Sequence, residues 1–390
     1  MTYPAPHDRM AEVAERSGLR AVHLAAWRDR DDPEAGGSEE HASQLAAHWA
    51  RAGLDVTIRT SRAPGRPSHA TRDGFRVVRR GGRLTVLART AAAGAREGWG
   101  RGDHGLVDVF HGLPFFSPLW AGPRRVGFVH HVHLGTWRLL VPTPLAPLMH
   151  ATERWIVPAV YRRSRLVTPS PSTRDDLVQR LRLDRSRIGV APNTVDERFA
   201  PGGDRSATPL VAAVGRLMPQ KGFDTALTAI AEVLAARPDA EAVVVGEGSA
   251  RPALEAQAAA LGIAGRVRFT GRVSDEALVD WYRRAWVVVN ASRHEGWGLT
   301  LTEAMACGTP VVASRIPGHV DAVEDGRTGV LVTGAAEMAA QTLALLDDAE
   351  ARDRMGRLAA ESAVRGWATP ALTVLEALAA APGVPRSDGA

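Results

Sequence analysis

The chain has 390 residues, 45% hydrophobic and 23% charged, with a formal net charge of +5. This length predicts two domains, and the composition excludes a disordered chain, a fibre and a disulfide scaffold, since Cys307 is the sole cysteine. The polar start has no signal-peptide core, and no apolar run reaches the ~18 residues of a membrane span, so a cytoplasmic protein is expected.

The first half alternates strands and helices. Residues 19–26 (LRAVHLAA) read as a strand, 27–37 as a loop and 38–52 as an amphipathic helix. Strands follow at 55–60, 75–79, 106–111, 125–130, 166–168 and 187–191. Residues 200–209 (APGGDRSATP) are rich in Pro, Gly and small polar side chains and mark a linker. The second half restarts the pattern with strands at 210–214, 241–245, 267–270, 286–290, 310–313 and 329–332 and helices at 223–236 and 274–284. A helical tail is expected from about 335 to 380 and a disordered polar end over 384–390. The expected domains are 1–199, a linker over 200–209, 210–368, and a last helix from 369 that returns to the first domain. Such alternation points to an α/β protein of two Rossmann-like parallel sheets, with a ligand in the cleft between them.

Lys221 is the one lysine among 48 basic residues. Where the chain otherwise uses Arg, a retained Lys suggests a site that needs a compact point charge. It stands in Val214-Gly215-Arg216-Leu217-Met218-Pro219-Gln220-Lys221-Gly222, where a strand ends in glycine and two cations precede a helix. Cations beside free helix N–H groups suit a diphosphate; the alternative is a solvated loop. The second motif is His294-Glu295-Gly296-Trp297-Gly298-Leu299-Thr300-Leu301-Thr302-Glu303. Gly296 and Gly298 let backbone approach a ligand, and Leu299 and Thr300 open a helix whose amides face it. Glu295 and Glu303 flank the turn and suit paired hydroxyls of a sugar and a ribose. The alternative is that Glu303 complements the helix dipole and Glu295 is solvated.

Both segments resemble the retaining GT-B glycosyltransferases of the family 4 type, whose pattern is Glu, seven residues, Glu, with a Gly-Phe-Gly turn. Trp297 takes the Phe place. Further resemblance lies in Asn193-Thr194-Val195-Asp196, with Thr194 in the place of a usual Gly, and in Pro171-Ser172-Thr173-Arg174-Asp175-Asp176-Leu177, Gly246-Glu247-Gly248 and Gly271-Arg272-Val273-Ser274. The resemblance implies that Arg216 and Lys221 clamp the donor diphosphate beside Gly215. It further implies that Glu303 holds ribose and Glu295 the donor sugar. Gly246 would turn near the nucleotide and Val273 would read its base. Amides at Gly298, Leu299 and Thr300 would support phosphate or sugar, and Gly36 and Gly37 would form the loop that closes on the donor. In Val129-His130-His131-Val132-His133 it implies a histidine beside the sugar, His130 first and His133 second.

The implied reaction moves a UDP- or GDP-linked sugar to an acceptor hydroxyl, with no metal or other cofactor. A zinc site at the histidines lacks neighbouring acids or Cys, and Asp29-Arg30-Asp31 has the form of a metal-binding pair in a fold where cations replace the metal. Cys307 reads as a small buried side chain. The basic stretch 51–101 and the apolar segments 113–116, 137–147 and 155–161, with Trp120, Arg162 and Arg163, suit an anionic membrane and a lipid-linked acceptor; the alternative is a solvated Arg-rich surface. Rival readings are a sugar-nucleotide epimerase, a phosphorylase, an inactive sugar-nucleotide binder and a nucleic-acid binder. Phe75 is the lone aromatic among the arginines between 55 and 96, which disfavours nucleic acid as a partner.

Overall fold

The computed structural model describes residues 6–381; the tail expected at 384–390 lies outside them. The chain forms two compact units. One closes at Asn193 and resumes at Trp367, and the other runs Thr194–Gly366. Val195 and Phe199, ahead of the Pro- and Gly-rich stretch, pack into the core of the second unit.

The first unit holds β1 (Ala21–Ala25), β2 (Asp55–Thr60), β3 (His69–Arg72), β4 (Phe75–Arg79), β5 (His104–Phe110), β6 (Arg125–Val129), β7 (Arg165–Thr168) and β8 (Ile188–Val190). They lie in the order β3-β4-β2-β1-β5-β6-β7-β8. Neighbours are parallel except for the β3–β4 pair. The central strands are apolar on both faces because helices cover both. Val22, Val56, Val107 and Phe128 share one core with Leu45 and Trp49 of the helix Gly37–Arg51. The last helix, Ala368–Ala379, packs on this core through Val374, Leu375 and Leu378, and its Ala371 carbonyl accepts from Trp49 Nε1 at 2.9 Å. Each of those three buried side chains is worth about 1.5–3 kcal/mol, enough to fix a short helix that would be marginal alone.

The second unit holds β9 (Leu210–Val214), β10 (Glu241–Val245), β11 (Val267–Gly271), β12 (Val287–Asn290), β13 (Val311–Ser314) and β14 (Gly329–Val332), in the order β11-β10-β9-β12-β13-β14 and parallel throughout. In each sheet the winding reverses beside one strand. β1 lies between β2 and β5, and β9 between β10 and β12. Open parallel sheets bind ligands beyond the strands' carboxyl ends at this reversal.

Some elements differ from the expectation. The helix Pro6–Ser17, whose polar start hides a buried stripe of Met10, Val13, Ala14 and Ser17, and the edge strand β3 went unread. The helical tail is three helices, Gly334–Asp347, Ala349–Ser362 and Ala368–Ala379; Asp348 breaks the first and caps the second, accepting from the Ala351 N–H at 2.9 Å. Several aromatics expected at the surface are interior: Phe115, Trp137 and Tyr161 are buried. Tyr161 donates to the buried carboxylate of Asp108, which also accepts from the Phe115 and Ser117 N–H groups.

Buried histidines make the first unit acid-sensitive. His23 stacks on Trp99 at 4.3 Å and hydrogen-bonds His104 at 2.9 Å. Burial, then the neighbouring His104 and arginines, lowers its pKa to about 3. The unfolded chain takes up that proton near pH 6.5, so stability is lost as pH falls from there towards 3. Replacing His23 with glutamine is expected to reduce the slope of unfolding free energy against pH, in urea titrations between those limits, by up to ~1.4 kcal/mol per pH unit.

Candidate active site

In the second unit the loops leaving β9 and β12 meet at the reversal. Gly215 follows β9, Arg216 is half-buried beside it, and a single 3-10 turn, Pro219–Lys221, carries Lys221. Gly222 then starts the helix Phe223–Ala236 with φ at +64°. A Cβ there would lie 1.9 Å from the Ala291 carbonyl oxygen, so only glycine lets the two loops touch. From β12, Asn290 accepts the Ser292 N–H at 2.9 Å and donates to Thr300 Oγ1 at 3.2 Å, tying the loop to the next helix.

Lys221 Nζ consequently reaches Glu295 Oε1 at 2.5 Å, and Ser292 Oγ donates to the same oxygen at 2.9 Å. Among the described residues, Glu295 Oε2 accepts no hydrogen bond. Burial pushes the Glu295 carboxyl up, but the Lys221 charge, the facing His319 and the two hydrogen bonds outweigh it, and its pKa falls below the usual range. The helix Leu299–Ala306 begins at Gly298 beside this pair. Its Glu303 accepts from the buried Tyr282 hydroxyl at 2.8 Å. Lys221, Gly215, Asn290, Ser292 and Thr300 line one cavity.

In the first unit a second polar cluster occupies the other reversal. Glu39, buried in the first turn of the helix Gly37–Arg51, accepts from the Gly36 N–H at 2.8 Å and from Ser38 Oγ at 3.0 Å. Arg28 donates to His111 Nε2, just past β5. His111 Nδ1 therefore carries its proton and donates to Ser38 Oγ at 2.7 Å. His130 follows β6. Burial, then His111, lowers its pKa to about 3 against the opposing pull of Glu39, so it is neutral at physiological pH. His41 packs edge-on against it at 5.2 Å.

The structure thus brings Gly215, Arg216, Lys221, Glu295, Gly296 and Gly298, with Leu299, Thr300 and Glu303 of the following helix, to the ends of two neighbouring strands at one reversal, and Gly36, Gly37 and His130 to the other. His133 is instead built into the scaffold: its N–H donates to the buried Glu153 at 2.7 Å and its ring lies 5.1 Å from Trp137. Gly246 has a packing reason, since a Cβ would lie 1.9 Å from the Gly215 carbonyl oxygen. Val273 is half-buried after β11. Asp29 and Asp31 are taken up by Arg79 and Arg72. Among the described residues no three His, Cys, Asp or Glu side chains gather as a metal site requires. Burial pushes the Cys307 thiol up to about 12. Sequence reasoning missed Tyr282, Ser292, His319, Arg28 and His111, and gave Glu39, which follows Gly36-Gly37-Ser38, no role of its own. Glu39 could have been found, since a Glu three residues past a helix's first cap is a known capping position.

Two family descriptions match this chain, "Glycosyl transferases group 1" over residues 195–362 and "Glycosyltransferase Family 4" over residues 35–199. A D-inositol 3-phosphate glycosyltransferase of Streptomyces avermitilis is 32% identical, over 96% of this chain and 89% of the relative. The chain belongs to the family 4 glycosyltransferases. Its GT-B architecture is shared with sucrose-phosphate synthase from Thermosynechococcus elongatus, at a TM-score of 0.74 and 22% identity over 92% of this chain and 96% of that one. HepE of Anabaena, solved in complex with UDP-glucose, matches at a TM-score of 0.68 and 17% identity, over 87% and 93% of the two chains.

Gly222→Ala tests how this glycosyltransferase builds its loops. The Cβ collision with Ala291 and the positive φ together are expected to cost about 2–4 kcal/mol, read as a lowered midpoint in denaturant unfolding.

Proposed function

We propose that this glycosyltransferase moves a sugar from a nucleoside diphosphate sugar to an acceptor hydroxyl with retention at the anomeric carbon. The observation that carries the reading is the meeting of Lys221 and Glu295 at the second sheet's reversal, with one Glu295 oxygen left to accept. In this reading Lys221 and Arg216 hold the diphosphate and stabilise the charge that grows as the bond from anomeric carbon to phosphate oxygen breaks. Glu295 accepts from the sugar's hydroxyls, and Glu303, steered by Tyr282, from those of the ribose. Main-chain N–H groups at Gly298–Thr300 add to the anion site.

The acceptor oxygen forms its bond to the anomeric carbon on the face the phosphate leaves, and the departing phosphate takes the acceptor's proton. Cations do the work that a metal does in other transferases. His130 of the first unit is neutral, so a hydrogen bond from it adds no charge. The UDP-glucose complex of HepE supports UDP as the first donor base to try, and the S. avermitilis relative's name supports a phosphorylated inositol as the first acceptor.

Thermal stabilisation by UDP, GDP and ADP without metal tests the reading. A nucleotide at ~100 times its dissociation constant should add ~2.7 kcal/mol, and Lys221→Ala should abolish that gain. The same substitution should lower the transfer rate by ~10²–10³, as loss of one preorganised donor does. Stabilisation that survives Lys221→Ala, or none with any of the three, overturns the assignment. Tyr282→Phe, which removes a hydrogen bond of ~1.5–3 kcal/mol to a carboxylate, should weaken nucleotide binding about tenfold with the chain still folded.

A further inference from the structure

The helical run 146–161 exposes several large apolar side chains. It consists of Ala146–Ala151, a π turn over Thr152–Ile156 and Val157–Tyr161. Its inner face buries Thr152 and Glu153 beside Ala146, Val157 and Tyr161. The π turn adds one residue to the helical register, which points Glu153 inward to accept from the His133 N–H and Trp137 Nε1 and leaves Trp155 and Ile156 outside. The outward face is Pro147, Leu148, His150, Ala151, Trp155, Ile156 and Ala159, apolar but for the one imidazole. Leu148 is 58% exposed, Trp155 67% and Ile156 50%. A surface helix normally turns its polar side to water. Leu139 and Leu145, just upstream, are exposed as well.

Charge around this face has one sign. Between His104 and Arg174 the acids are Asp108 and Glu153, and both are buried. The cations Arg138, Arg154, Arg162 and Arg163 lie within or beside the run, and the Arg154 guanidinium lies over the Trp155 ring at 5.1 Å. An exposed apolar patch rimmed by polar groups marks an interaction site. A second copy of this chain would set arginine against arginine across a two-fold axis, with no acid of the patch to pair them. An anionic bilayer offers hydrocarbon to Leu, Ile and Trp and phosphates to Arg, with Trp at the headgroup level.

We propose that the outward face of residues 139–163 docks this glycosyltransferase on an anionic lipid surface. The probe is vesicles of phosphatidylcholine with and without phosphatidylglycerol, with binding read by co-sedimentation. The full chain should sediment with the anionic vesicles and not with phosphatidylcholine alone, and high salt should release it. Leu148→Ser/Trp155→Ser/Ile156→Ser should weaken partitioning about a hundredfold. Arg162→Gln/Arg163→Gln should weaken it less and flatten the salt dependence. Both variants should keep the native thermal midpoint and response to UDP, which separates this proposal from the donor-site reading. Failure of the native chain to bind anionic vesicles at low salt overturns it, as does undiminished binding by the triple variant. A dimer in light scattering that the triple variant dissolves would assign the face to a second copy instead.

Discussion

The Lys221–Glu295 contact ties the two loops at the second sheet's reversal through one ion pair. It exists because β9 and β12 are neighbours across the reversal and Gly222 lets their loops touch. Both side chains are largely removed from water, at 23% and 13% exposure, so each charge needs the other while no substrate is present. Under the proposed reading, the donor relieves that need from both sides. Its phosphate takes the ammonium, and its sugar hydroxyls take the carboxylate. Binding then exchanges one set of charge-assisted hydrogen bonds for another instead of desolvating bare charges.

The first unit's cluster holds an ion pair of its own, Arg28 with Glu39 at 3.3 Å, and surrounds it with neutral groups. Arg28 fixes the His111 tautomer, His111 orients Ser38, and Ser38 and Gly36 satisfy Glu39. The charges of Arg28 and Glu39 offset one another, and His130 beside them stays unprotonated because burial outweighs the pull of Glu39. Burying an imidazolium costs far more than burying a neutral imidazole, even with a carboxylate nearby, so the surroundings determine the charge of His130 more than its own basicity does.

The central strands of the second sheet were legible because buried parallel strands are apolar on both faces; β9 and β10 lie on the apolar runs 210–214 and 241–245. The edge strand His69–Arg72 was not, since one antiparallel partner and a wet face leave no pattern. The donor-side loops were legible because glycines and charges cluster within nine residues of each other. Tyr282 and His111 were not, because each reaches its partner through the fold, from 21 and 73 residues away. The apolar segment after β6 was read as one surface, whereas the π turn divides it, sending Glu153 inward and Trp155 outward.

The single lysine fits this division of labour. Elsewhere the chain meets carboxylates with guanidinium forks, as when Arg198 and Arg237 each set Nε and Nη2 on the two oxygens of Asp196 and Asp239. A fork of that kind would occupy both oxygens of Glu295 and close the site. Lys221 takes only Oε1, which Ser292 also meets, and so keeps the carboxylate ionised while leaving Oε2 open to a hydroxyl. An arginine at 221 would preserve the charge and lose that vacancy, which is why a point charge belongs at this position in a chain that otherwise chooses Arg.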